Sequence, residues 1–149
     1  MGHRQLSDPN EDKIAATHLS RYCAYLVAYS PDLLPDDEEW CKQLYEDVKK
    51  DADRILRAAP EAGYEQLVEL LSANLNHEVL KNGAALGKKL VESNMAEWED
   101  QARFWLEVIL YAAPSENLEG HADAIARGGE LITLVWTLLA HAGIYYREA

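Results

Sequence analysis

Apolar residues recur at three- and four-residue spacing along most of this chain, and they are densest between Phe104 and Ile144. There the longest apolar run, Leu131 to Leu139, is broken only by threonines, and a second dense run from Phe104 to Ala113 ends at Pro114. Two such helices joined by a short polar turn cannot both remain solvated, so the pattern predicts a hydrophobic C-terminal helical hairpin as the buried centre of the domain. The small residues Gly120, Ala122, Ala124, Ala126, Gly128 and Gly129 form a slender segment between them, with a bend at Gly128-Gly129, an N-cap at Ser115 and a C-cap at Gly143.

The same spacing places a helix over 11–29, stopped by Pro31, with Leu19, Tyr22, Leu26 and Tyr29 on one stripe. A second, overlapping stripe carries His18, Tyr22, Tyr25 and Tyr29. The next helix, 36–59, opens on the acids Asp36, Asp37, Glu38 and Glu39, which suit the positive end of the helix dipole and are each worth about 0.3–1 kcal/mol there. Cys41, Tyr45, Val48, Ala52 and Ile55 line its apolar face, and Glu46 and Lys50 stand four apart on the other. Pro60 and Gly63 end it, and a short helix follows over 64–71. After a turn and cap at Asn74 and Asn76, a helix over 77–92 carries Gly83 and Gly87, spaced so that another backbone can come close. Ser93 or Asn94 caps the helix over 95–113, whose seam is Trp98, Ala102, Trp105, Ile109 and Ala112, with Glu97, Asp100, Arg103 and Glu107 in water. No stretch alternates with period two for long enough to be a strand, so the fold class is all-α: a single-domain bundle of five to seven helices over 11–149 behind a loose arm at 1–10.

Composition narrows the partners. The 26 acidic against 14 basic residues leave a formal net charge of −12, which repels nucleic acid and anionic membrane surfaces. One phenylalanine against eight tyrosines and four tryptophans puts a polar handle on most aromatic groups, as suits the rim of a core or an interface. Cys23 and Cys41 sit inside helical patterns and read as reduced packing thiols of a cytoplasmic protein. The N-terminal MGHRQL has no apolar signal-peptide core, and the run from Leu131 to Ile144 falls short of the roughly 18 residues of a membrane span.

Catalytic and cofactor motifs are missing from the sequence. There is no G-x-S-x-G, no H-E-x-x-H, no Glu-x-x-His pair of the di-metal bundles and no P-loop, and the acid cluster at 36–39 points in four directions on a helix. No catalytic, metal or cofactor residue is therefore assigned. What remains is a polar line, Glu130, Thr133, Thr137 and His141, on an otherwise apolar helix, with His121 nearby in the hairpin. Such a line is first of all a solvated face, next a hydrogen-bonded seam that sets helix register, and last part of a ligand pocket.

Three blocks, HLSRYCAYLVAYSPDLLPD from His18, ELLSANLNHEVLKNGAALGKKLVE from Glu69, and the stretch from Phe104 to Ile144, resemble in that order the plant domain of unknown function 594. The resemblance implies a C-terminal domain of grass-expanded proteins, longer members of which carry membrane-spanning segments ahead of it. It implies no activity, cofactor or catalytic residue. Its recurring positions stand here as His18, Leu19, Tyr22, Pro31, Leu34, Pro35, Leu71, Gly83, Trp105 and Pro114, then His121, Ala126, Gly128, Gly129, Glu130 and His141-Ala142-Gly143. Most are residues that preserve a shape. The expectation is thus a non-enzymatic helical domain that meets a protein partner, or a second copy of itself, through an acidic surface bearing His18, Tyr22, Tyr25 and Tyr29. The alternative is a small-ligand binder or enzyme using His121, Glu130, Thr133, Thr137 and His141 between helices.

Overall fold

The computed structural model describes residues 9–73, 78–92 and 95–146. Among them the chain forms seven α-helices: α1 (Pro9–Tyr29), α2 (Glu38–Ala58), α3 (Tyr64–Ser72), α4 (Glu78–Glu92), α5 (Met95–Ala112), α6 (Leu118–Ala126) and α7 (Leu131–His141). A 3-10 turn, Pro31–Leu33, joins α1 to α2, and no strand occurs among the described residues. The arm expected at 1–10 and the caps expected at Asn74, Asn76, Ser93 and Asn94 fall largely or wholly outside the described residues.

Local chemistry accounts for the helix ends. Pro31 drives Ser30 out of the helical region (φ −142°, ψ 49°), and α1 stops. The acid cluster opens α2 as expected, but one step later: Asp37 is itself the cap, its carboxylate accepting the Trp40 N–H at 2.8 Å. Ion pairing on α2 joins Glu38 to Lys42 and Asp51 to Arg54 rather than Glu46 to Lys50. Asn117, not Ser115, caps α6; Ser115 accepts the Asn117 N–H at 3.0 Å instead. Both α6 and α7 end in paired backbone bonds over a left-handed glycine. Gly129 N–H reaches Ala124 C=O at 2.8 Å after α6, and Ile144 N–H reaches Leu139 C=O at 2.8 Å after α7, with φ +114° at Gly128 and +81° at Gly143. These two turns are where a side chain would strain the backbone.

The broadest helix pairing is α1 with α5. The seam expected on α5 does turn inward: Ile109 and Ala112 are buried, Trp98, Ala102 and Trp105 half-buried, and Glu97, Asp100, Arg103 and Glu107 exposed. Where α1 and α5 run into the 3-10 turn, α6 and α7, five elements and the residue just past α5 each give one apolar residue to a common core: Leu26, Leu33, Ala112, Ala113, Ala124 and Ile132. Tyr22, Leu34, Val135, Trp136 and Leu139 pack around it. By contrast α3 and α4 pack mainly on each other and bury no residue fully among those described. Helix α4 passes through Asn82-Gly83 without a break, and among the described residues no atom lies within 4 Å of where a Cβ on Gly83 or Gly87 would stand, so no described helix makes the close approach expected there.

The main departure from expectation concerns the C-terminal hairpin, which supplies four of the six core residues yet is buried on one side only. Ile132 and Thr133 are buried and Trp136 is half-buried, yet Leu131, Leu134 and Leu138 are 43, 58 and 62% exposed. Phe104, Leu106, Leu110 and Tyr111 of α5 are exposed as well. An apolar run marks a helix that wants cover without saying which side receives it, and among the described residues α7 is covered on one side only. Its rotation is set by hydrogen bonds, described next, that turn a threonine inward and leave leucines outside. Ile109→Ala will accordingly destabilise the chain by about 2–5 kcal/mol and Leu138→Ala by under about 0.5 kcal/mol, compared by urea unfolding.

Candidate functional site: a hydrogen-bonded seam at the start of α7

Glu130 precedes α7 in extended conformation and makes no cap bond of its own. The first turn of any helix leaves N–H groups without intrahelical partners, and here one is satisfied from the other end of the chain. The Tyr22 hydroxyl of α1 accepts the Ile132 N–H at 3.0 Å and donates to Glu130 Oε2 at 3.0 Å. Tyr25 donates to Glu130 Oε1 at 2.9 Å, so two phenols hold one carboxylate beside the positive end of α7. A tyrosine about 110 residues upstream thus takes the place of the serine or aspartate that usually caps a helix. Burial above all, with Glu130 adding to it and the Ile132 N–H opposing it, pushes the Tyr22 phenol up to about 12. Tyr22 therefore keeps its proton, and its role as donor to Glu130, at neutral pH.

Deeper in, His121 of α6 is fully buried and Thr133 of α7 nearly so, and His121 Nδ1 lies 2.9 Å from Thr133 Oγ1. The imidazole stacks on the Trp136 indole with centroids 4.2 Å apart and planes 8° apart. The indole Nε1–H donates to Ser115 C=O at 3.0 Å, fixing the other end of the stack. Asn117 ties this group to the 3-10 turn: its Oδ1 accepts the Gly120 N–H at 3.0 Å while its Nδ2 donates to Asp32 C=O at 2.8 Å. A Cβ at position 120 would collide with the Asn117 amide, which is why a glycine sits in the first turn of α6. Burial lowers the His121 pKa, with Asp32 pulling weakly the other way, and His121 Nε2 has no hydrogen-bond partner among the described residues.

The residues singled out by sequence separate into those the fold joins and those it does not. Tyr22, Tyr25 and Glu130 meet in one group at the start of α7, and His121 and Thr133 pair in a second beside it. Thr137 donates to its own helix at Thr133 C=O, 2.9 Å, and both Thr137 and His141 are exposed. Each four-residue step overshoots a full helical turn by about 40°, so a line read as straight from Thr133 to His141 has rotated by about 80° at its end. His18 and Tyr29 are exposed on α1. Tyr22, Tyr25 and Tyr29 stack in sequence at 5.9 and 5.5 Å, and Tyr29 continues to Tyr45 of α2 at 6.2 Å. Sequence reasoning missed Trp136, Asn117 and Asp32. Asn117 could have been found from its place three residues before Gly120, whereas nothing separates Trp136 from the other members of an apolar run. Among the described residues no three His, Cys, Asp or Glu side chains gather as a metal-holding set.

Two measurements test this seam. Tyr22→Phe leaves the buried Ile132 N–H without its acceptor and will cost about 1–3 kcal/mol, while Tyr25→Phe, at the exposed edge, will cost under about 1 kcal/mol by the same unfolding assay. The fold holds His121 neutral, so its contribution is complete above about 6.5 and falls away as pH drops through the lowered value. A His121→Phe chain, which keeps a ring against Trp136, will therefore lose less stability than the parent between neutral and mildly acidic pH.

Residues 91–144, the end of α4 and all of α5, α6 and α7, match the model of a family described as protein of unknown function, DUF594. No curated protein and no solved structure matches the chain. No helix among the described residues is long and apolar enough to cross a membrane. The likeness read from the chain's own motifs is thus found by the family model in its C-terminal part, where residues 91–144 are similar to the domain of unknown function 594.

Proposed function

We propose that this chain is a non-enzymatic, protein-binding helical domain that meets its partner through the outer face of α7. The observation that carries the reading is the inversion of that helix: Thr133 is buried while Leu131, Leu134 and Leu138 stand exposed at helical spacing. Contiguous exposed leucines cost solubility and contribute nothing to the chain's own core, which is the mark of a surface kept for a partner. Between Leu131 and Tyr146 no Asp, Glu, Lys or Arg interrupts this face, in a chain whose net charge is −12. Charge depletion around exposed apolar groups is what distinguishes the middle of an interface from ordinary surface. The tyrosine ladder along α1, expected from sequence as the contact surface, supports the reading through Tyr29, the member most open to solvent.

The seam serves this function by holding α7 at the angle that presents its leucines. A ligand site built on His121, Glu130, Thr133, Thr137 and His141 has one observation in its favour, the partnerless Nε2 of His121. Against it, Glu130 is occupied by two tyrosines, His121 and Thr133 are closed from solvent, and His141 points elsewhere.

The test is a photo-crosslinking residue placed at Leu134 and, as control, at Asp53 on the exposed part of α2, in cells that express the chain. A discrete protein adduct is expected from position 134 alone, and the Leu134→Glu/Leu138→Glu double variant will abolish binding of the purified adduct partner. Its unfolding free energy will stay within about 1 kcal/mol of the parent, because both positions are exposed. Equal adducts from both positions, or undiminished binding by the double variant, would overturn the proposal.

A further inference from the structure

The broadest helix pairing leaves a groove along one side. Between α1, α5 and the segment that follows the 3-10 turn lies an apolar recess of ≈ 390 Å³, in the size range of small-molecule sites. Cys23 and Val27 of α1 and Val108 and Ile109 of α5 form its walls, and the buried Ile132 reaches it from α7. Protein interiors pack as densely as organic crystals, so a recess of this size beside the main helix contact is a shaped opening rather than slack. Its lining includes none of the exposed leucines of α7.

Its lining is mostly apolar, and its one charged group is acidic. Asp36 is the only carboxylate in the lining, no lysine or arginine is present there, and Asp36 is exposed with no ion-pair partner among the described residues. The Ser20 hydroxyl is engaged with Thr17 C=O at 3.0 Å. Trp105 and Tyr111 add aromatic surface, which attracts cations and tolerates apolar chains alike. Burial raises the Cys23 thiol, so it is a wall group rather than a nucleophile. An anionic amphiphile such as a fatty acid would bring its carboxylate to Asp36 in a molecule that already carries twelve excess negative charges.

We infer that this groove binds a hydrophobic amine reversibly, with the apolar body along Cys23, Val27, Val108 and Ile109 and the ammonium at Asp36. The full chain is titrated with octylamine, octanol and octanoate, probes that share one apolar body and differ in the head, by calorimetry and tryptophan fluorescence. Octylamine is expected to bind at least about fivefold more tightly than octanoate, and Asp36→Asn to weaken octylamine by about two- to fivefold, toward the octanol level. Because the net charge draws amines to the whole surface, the deciding variant is Ala24→Trp, which fills the groove from an exposed α1 position; it will abolish saturable octylamine binding with an unchanged thermal melt. Equal affinity for octylamine and octanoate, or octylamine binding by Ala24→Trp at the parent's affinity, overturns the proposal. So does a dimer that Ala24→Trp dissociates while octylamine fails to bind, which gives the groove to a second copy.

Discussion

The fold depends on a helix start that cannot satisfy itself. Helix α7 begins after Glu130 with no side-chain cap of its own, and the N–H of Ile132, at the very centre of the core, would be an orphan donor without the Tyr22 hydroxyl. One phenol therefore joins α1 to α7, satisfies a buried amide and positions the carboxylate of Glu130. From that fixed point the rest follows in order. With α7 anchored at Ile132, Thr133 faces His121, Trp136 lies flat on the imidazole, and the indole reaches back to Ser115 in the turn between α5 and α6. Asn117 then closes the circuit onto the 3-10 turn through Asp32.

The polar contacts decide orientation and the apolar ones supply the stability. Six residues make the core cluster, and three of them are alanines, so the area each contributes is small. Small residues let helices come near enough for side chains as short as threonine and asparagine to bridge them, which a core of leucines would prevent. In exchange the larger hydrophobes of α5 and α7 are displaced outward. This gives the molecule a specified but thin interior, with α3 and α4 held at its edge by mutual packing. Regions with few buried apolar contacts are the ones that open first, so rigidity is concentrated where the seam lies.

Helix content was legible in the chain because it rests on periodicity, prolines and caps, all local. Pro31 and Pro114, the acid cluster before Trp40 and the inward row on α5 behave as their spacing requires. Burial of the C-terminal run was misread because hydropathy reports how much a helix wants cover, while its rotation is set by partners far away in sequence. Tyr22 showed as one of several aromatic groups on a stripe, and nothing local distinguishes it from Tyr25 or Tyr29 as the residue that caps a distant helix. Along the polar line on α7, Glu130 meets Tyr22 and Tyr25 and Thr133 meets His121, whereas Thr137 and His141 turn to solvent because helical phase drifts away from a straight row. Gly83 and Gly87 were misjudged for a related reason: small residues permit a neighbour, and only tertiary structure supplies one.

A family boundary and a folding boundary differ in this chain. The segment recognised by the family model starts at residue 91, but the hydroxyl that completes its last helix comes from residue 22 and the carbonyl that receives Asn117 from residue 32. An excised copy of the matched segment would keep residues 91–144 while its terminal helix lost the acceptor for a buried amide. The autonomous unit is the larger assembly, and any relative sharing only these last helices must find that acceptor in a different upstream sequence or in another chain.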